Sequence, residues 1–476
     1  MKLELEILFV IFILLLCLQF SNASQIVEVC PNPYGKDESE YVKLIADAPC
    51  ILTDGEGKIE INKTGYVVVT KNRSALLKDF GIKADYEFPR RFALSNSGEE
   101  LLLIENNSTI DRFLYGRCPE GIVYFKCNGR WTFKYQDWTN FDVVGDFVEG
   151  KIIVTPSDYN FRCNKSASIA SYTFTNMKLL KNLKDAEIFV DATPVGGIPV
   201  EEVEIAKNFK VNFLKSKSYK NFHYKFGLCG NKVLITTENW VWNNRGYVVE
   251  FKSDKIAKLL ENVLEHDKKY RSNLGKVCKI KNFATTPTHG REITFKSYVE
   301  VFVIPDRNPI LDVISNAKNR LYIQVPYIKF GFDCETPILD SIEKAAKNAS
   351  VKVLLDSKYN KDENVKTVNF LKDVAKSRGL NIEAKIIDLK GFNSLHGKLI
   401  VADDKVVITT ANFDMHGFKL NREVGIIIYS KEVSDALANQ FLKDFGHEEA
   451  NCLILVPLTI LLVVALIVVI KAMKKD

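Results

Sequence analysis

The residues best suited to chemistry are an imidazole, an ammonium and an amide carried by one hairpin. Leu395-His396-Gly397-Lys398-Leu399-Ile400-Val401-Ala402-Asp403 reads as a strand that places His396, Lys398 and Ile400 on one side. Asp403-Asp404-Lys405 reads as the turn and Val406-Val407-Ile408 as the return strand. Asn412 falls just past that strand's end. A phosphodiester is anionic and repels anionic nucleophiles. A neutral imidazole avoids that repulsion and forms a covalent intermediate that a second nucleophile can resolve. An ammonium and an amide beside it can hold the non-bridging oxygens as charge grows there.

The pattern occurs twice. In the stretch from Asn221 to Trp240, His223 pairs with His396, Lys225 with Lys398, Lys232 with Lys405 and Asn239 with Asn412, without a gap. Ile-Thr-Thr-x-Asn is identical in both copies. The pattern His-x-Lys-x4-Asp with a downstream Asn resembles the HKD signature of the phospholipase D superfamily. The resemblance implies phosphodiester cleavage or transfer through a phosphohistidine, with no metal or other cofactor. It also implies two motifs facing each other, with His223, His396, Lys225, Lys398, Asn239 and Asn412 as the catalytic set.

The copies are not equal. Asp403, whose role the resemblance implies is structural support of the hairpin, has Gly230 as its counterpart. A carboxylate after the motif, which in the family orients a histidine, is matched by Glu423. Its counterpart is Glu250 by counting from the histidine. It is Gly246 when the following strand and helix are aligned, Ser253 with Ser430, and this alignment keeps the strand register. On that basis His396 is expected to have a carboxylate partner and His223 none, which makes His223 the nucleophile and His396 the general acid and later base. The extra His416 reads as a loop residue near the site entrance.

The rest of the chain must position this pair. A chain of 476 residues suits two or three domains, and a net charge of +6 permits a phosphate-bearing partner without requiring one. Residues 1–23 read as a signal peptide, with an apolar run from Ile7 to Phe20 and small residues at Ser21-Asn22-Ala23; an uncleaved anchor is the alternative. Leu453 to Ile470 is uncharged and long enough to span a bilayer. Lys471, Lys474 and Lys475 in the 471–476 tail put the C-terminus in the cytoplasm and the body outside. Glycosylation triplets at Asn62, Asn72, Asn106, Asn107, Asn164 and Asn348 agree with export. So does the even number of cysteines left once Cys17 and Cys452 are set aside, with Cys30–Cys50 and Cys118–Cys127 as plausible local pairs.

Residues 25–117 read as an all-β sandwich of short strands. Pro31-Asn32-Pro33-Tyr34-Gly35 before Glu40-Tyr41-Val42-Lys43-Leu44 resembles the opening of lamin-tail domains, which implies an immunoglobulin-like module. Residues 118–150 are an aromatic-rich connection, expected to fill an interface between domains. Strands alternating with helices twice over give two α/β halves, at 151–270 and 299–450, joined by a 271–298 linker. The fold expected is therefore α/β. Two pseudo-two-fold-related phospholipase D-like halves follow a β-sandwich and precede one transmembrane helix.

The function expected is a metal-independent phosphodiesterase, an exported and membrane-tethered nuclease. Its partners are then a phosphodiester, with nucleic acid favoured over phospholipid, and the membrane through the C-terminal helix. A monomer is expected because both motifs lie in one chain. A phospholipase D or cardiolipin-synthase-like phosphatidyl transferase is the alternative, although such synthases usually work on the cytoplasmic face. An inactive surface-binding protein is a third reading.

Overall fold

The structure is a computed structural model, and it describes residues 24–127, 129–278, 290–332, 336–389 and 391–446. The signal-peptide, transmembrane and cytoplasmic-tail segments expected at 1–23, 453–470 and 471–476 lie outside the described residues. Among the described residues, no helix is long and apolar enough to cross a membrane. The chain divides into two compact units between Thr139 and Asn140.

The first unit is a six-stranded sheet and a four-stranded sheet around one apolar core. Alternating residues supply that core: Val42 and Leu44 from one sheet, Leu101 and Leu103 from the other. The aromatic stretch is not a connection. Strands Ile122–Cys127 and Arg130–Tyr135 extend the six-stranded sheet, and Tyr124, Trp131, Phe133 and Tyr135 pack on this unit's own core. The rings alternate along a hairpin, and that period of two turns them onto the sheet's apolar face. The expected local disulfides are absent, since Cys30, Cys50, Cys118 and Cys127 are all free. Cys30 and Cys50 belong to opposite sheets, and Cys127 is exposed whereas Cys118 is buried.

The second unit is organised on one 14-stranded sheet built twice. In the first half, β1 is Val144–Val154, β2 Cys163–Ser171, β3 Leu183–Asp191, β4 Lys210–Leu214, β5 Phe226–Cys229, β6 Lys232–Thr236 and β7 Tyr247–Lys252. In the second, β8 is Arg291–Ile304, β9 Arg320–Val325, β10 Ser350–Leu355, β11 Ile382–Ile386, β12 Leu399–Ala402, β13 Lys405–Thr409 and β14 Glu423–Tyr429. The order β4-β3-β2-β5-β6-β7-β1-β8-β14-β13-β12-β9-β10-β11 reads the same from either edge once the halves are exchanged. The antiparallel pair β1 and β8, with Glu149 opposite Lys296, lies at the centre of the sheet. Two boundaries therefore move. The first half begins at β1 rather than at Lys151, and the supposed linker to residue 298 contains the start of β8.

Each half closes with a helix capped by serine. Ser253 accepts from the Ile256 N–H at the start of α1 (Asp254–Asp267), and Ser430 accepts from the Val433 N–H at the start of α2 (Lys431–Asp444). On α1 the residues Ile256, Leu259, Leu260, Val263 and Leu264 are buried, as their helical spacing predicts. Between β2 and β3 the chain forms only the short helical turn Met177–Leu180, because residues from Leu183 onward pair as β3.

Candidate functional site

The two hairpins β5–β6 and β12–β13 deliver the paired motifs. Each turns at a residue in the left-handed region, Gly230 at φ 58° and Asp403 at φ 51°. Asp403 accepts from the backbone N–H groups of Lys318 (2.8 Å), Asn319 (2.8 Å) and Arg320 (3.1 Å), which ties its hairpin to β9. At the matching place in the first half, the Cys163–Cys229 disulfide ties β5 to β2.

The segment ahead of each histidine is fixed by two devices, and both are repeated. Asp191, at the end of β3, accepts from the Phe222 N–H at 2.7 Å, and Asp356, just past β10, accepts from the Leu395 N–H at 2.7 Å. Both carboxylates are buried. The second device crosses the seam: His223 N–H donates to the Arg422 carbonyl and His396 N–H to the Arg245 carbonyl, each at 2.9 Å. Arg422 is in turn held by Asp267 on α1 at 3.3 Å, and Arg245 by Asp444 on α2 at 2.9 Å. Each half thus holds the other's histidine in place.

Glu423 also reaches across. Its two oxygens lie 2.8 and 2.9 Å from His223 Nδ1, so it is the partner of His223 and not of His396. The expected pairing fails because β14 of the second half packs against the first-half segment before His223, with Phe222 bridged to Arg422. Glu423 further accepts from Thr410 at 2.5 Å and from Asn421 at 3.0 Å. Burial alone would raise its carboxyl, but His223, Lys225 and Thr410 outweigh that and hold it below the usual carboxylate range. Burial pushes His223 below the ordinary histidine value, Glu423 opposes, and the Lys225 charge adds to the fall. A neutral His223 with an ionised Glu423 means that Nδ1–H donates and Nε2 keeps its lone pair.

His396 has a different carboxylate, one that sequence reasoning missed. Glu238, fully buried, has Oε1 3.5 Å from His396 Nδ1. Its signal was the variable position of Ile-Thr-Thr-x-Asn, Glu238 in one copy and Ala411 in the other. Glu250 is elsewhere, bonded to Tyr159 and 3.7 Å from Lys232. The register settles the alignment: the Thr155 N–H bonds to the Gly246 carbonyl at 2.9 Å, where Ile304 lies opposite Glu423 in the other half.

Both lysines are buried, each donating to the carbonyl of its own motif histidine. Burial pushes the Lys398 ammonium down to about 8, against the pull of Glu238 and Glu423, and it also holds Lys225 well below the ordinary lysine value. Burial, with the Lys398 charge second, also holds His396 below the usual value. Asn239 and Asn412 are half-buried just past β6 and β13, and Asn239 Oδ1 is buried with no hydrogen-bond partner among the described residues. Tyr172 stacks edge-on to His223 with ring centres 4.7 Å apart. His416 is exposed on the turn after β13. Two imidazoles, each with a carboxylate behind Nδ1 and an ammonium beside it, can attack a phosphorus atom, hold its oxygens and protonate a leaving alkoxide.

Residues 310–445 match the family described as cardiolipin synthase, PLD-like domain. This region of the chain belongs to the phospholipase D superfamily. The matched phospholipase D-like region is the second half, with His396, Lys398, Asp403, Asn412 and Glu423 inside it. A cardiolipin synthase of Clostridium perfringens is 36% identical over 141 residues, which cover 29% of this chain and 28% of that protein. A cardiolipin synthase 2 of Staphylococcus epidermidis is 36% identical over 136 residues, 28% of this chain and 26% of that protein. The chain thus spans less than a third of the curated phospholipase D relatives that it matches. Among solved structures, the phosphatidylserine synthase of Haemophilus influenzae is similar at 12% identity with a TM-score of 0.45, covering 60% of this chain and 82% of that one.

Proposed function

We propose that this chain transfers phosphodiester groups through a phosphohistidine on His223, and that its substrates are phospholipids. The hydrogen bonds from His223 Nδ1 to Glu423 carry the first part, because they leave Nε2 free to attack. Lys225, Lys398, Asn239 and Asn412 hold the non-bridging oxygens. His396 gives a proton to the departing alkoxide, then takes one from the incoming hydroxyl, which displaces His223 from phosphorus. An alcohol as acceptor makes this a phosphatidyl transferase, and water makes it a phospholipase. The likeness of the His396 half to cardiolipin synthases supports the lipid reading. The apolar run from Leu453 to Ile470 would keep the body at a bilayer, and the Cys163–Cys229 disulfide agrees with an oxidising, extracytoplasmic compartment.

A nuclease reading is favoured by one observation. Lys215, Lys217 and Lys220 are exposed on the loop that leads into His223, where they would suit a longer polyanion. The purified full-length chain, given phosphatidylglycerol vesicles in one arm and single-stranded DNA in the other, separates the two. Headgroup release or exchange that His223→Ala abolishes is the expected result. Cleavage of DNA alone transfers the assignment to a nuclease, and inactivity on both overturns phosphodiester chemistry.

A further inference from the structure

The family-type carboxylate is missing at Gly246, yet the space for it is filled. A Cβ placed on Gly246 would lie 2.1 Å from Glu238 Oε1 and 2.8 Å from its carboxyl carbon. The glycine is therefore what makes room for a carboxylate that arrives from a different strand end. The surroundings repeat those of Glu423. Asn421 donates to Glu423 at 3.0 Å, and its counterpart Asn244 donates to Glu238 Oε2 at 2.8 Å. Thr410 accepts from the Val424 N–H, and Thr237 accepts from the Tyr247 N–H, both at 3.0 Å. Each acidic group is fully buried behind the Nδ1 of one motif histidine.

We infer that Glu238 is the positioning carboxylate of His396, moved in sequence from the position of Gly246 to the motif's variable site while keeping its place in space. Its Oε1 is buried, has no hydrogen-bond partner among the described residues and points at His396 Nδ1 from 3.5 Å. The gap closes when His396 holds a proton, as it must to act as the acid. Glu238 touches no reacting atom. It fixes which imidazole nitrogen faces the substrate and stabilises the imidazolium. The two halves thus carry the same acid–base constellation with one member exchanged between neighbouring positions, and the unequal motifs form an equal pair of sites.

This rests on the phosphodiester reading above, so its test includes a measurement that needs no turnover. In the resting protein, Glu238→Ala is expected to move the His396 imidazole titration to lower pH by NMR, with Glu238→Gln giving an intermediate shift. Gly246→Glu is expected to lower the thermal midpoint in the wild type, where the new side chain meets Glu238. In Glu238→Ala/Gly246→Glu it restores both the midpoint and the His396 titration. With phosphatidylglycerol vesicles, a diester whose departing alkoxide needs the His396 proton, Glu238→Ala is expected to lose at least about tenfold in kcat/KM, and the double variant to regain most of that. An unchanged His396 titration in Glu238→Ala, or a double variant no better than Gly246→Glu alone, overturns the inference. A wild type inactive on the diester, with the titration and stability results intact, overturns the phosphodiester reading and leaves the carboxylate exchange standing.

Discussion

Glu423 of the second half hydrogen-bonds His223 of the first, both of its oxygens within 2.9 Å of Nδ1. An anionic partner there fixes the tautomer and favours the imidazolium only transiently, which suits a nucleophile that must start neutral. His223 is therefore expected to carry the phosphoryl group. In His396→Asn, which cannot protonate the leaving group or activate the acceptor, a diester with an activated leaving group should leave a stable adduct on His223, read by mass spectrometry of peptides. An adduct on any other residue contradicts the assignment. Glu423→Gln keeps the shape but not the charge, and kcat should fall by about 100-fold or more with a smaller change in KM.

The pH dependence follows from Lys398. Burial lowers its ammonium to about 8, so below that value it is charged and can hold the phosphate, and above it the charge is lost. Activity as kcat/KM should therefore fall as pH rises through about 8. Stability should move the other way. The folded state holds this proton less tightly than the unfolded chain does. Between about 8 and the ordinary lysine value the unfolded state binds more protons, and the Lys398 contribution to stability rises with pH. Matched pH series of kcat/KM and of urea unfolding check both signs, with Lys398→Met as the variant in which this part of each dependence disappears.

Lys225 gives a stability–function conflict. It is fully buried, its nearest bond is to the His223 carbonyl, and burial lowers its ammonium well below the lysine range. Glu423 does not depend on it alone, being also bonded to His223, Thr410 and Asn421. Replacing the charge by an apolar chain of similar volume should therefore stabilise the fold by about 1–3 kcal/mol while abolishing turnover. Urea unfolding of Lys225→Met measures it. A loss of stability would mean that the attraction to Glu423 outweighs the cost of burial.

What the sequence made legible was the part written as local pattern. The hairpins follow from β-branched runs around turn residues, the helices from apolar spacing and Ser253 and Ser430 caps, and the doubling from the ungapped match of the His223 and His396 stretches. The crossing of partners was not legible. Glu423 follows His396 closely in the chain, but β14 is adjacent in space to the segment before His223, and only strand order tells that. Glu238 was hidden for a related reason: its position is variable between the copies, and its role depends on the volume that Gly246 leaves empty. The aromatic hairpin at 122–135 was misplaced because rings suit a domain interface and a sheet's own core equally well.

Asp403 and the Cys163–Cys229 disulfide are two solutions to one anchoring problem. Both tie a catalytic hairpin to the strand beside it, the first through three backbone N–H groups and the second through a covalent bond. Asp403→Ala strips the acceptor from partly exposed donors and should cost about 1–2 kcal/mol. The disulfide closes a separation of 66 residues, and constraining the unfolded chain over that length contributes about 4 kcal/mol. Reductant should therefore lower the thermal midpoint and the activity of the wild type and leave Cys163→Ala/Cys229→Ala unaffected. Gly230 already has the left-handed backbone that Asp403 has, and a Cβ there meets nothing closer than Lys165 Nζ at 3.8 Å. Adding Gly230→Asp to the double cysteine variant should thus return part of the lost stability, about 1 kcal/mol, in a form that reductant cannot remove. If Gly230→Asp lowers the midpoint further, the carboxylate does not reach the N–H groups at the start of β2, and the two anchors are not interchangeable.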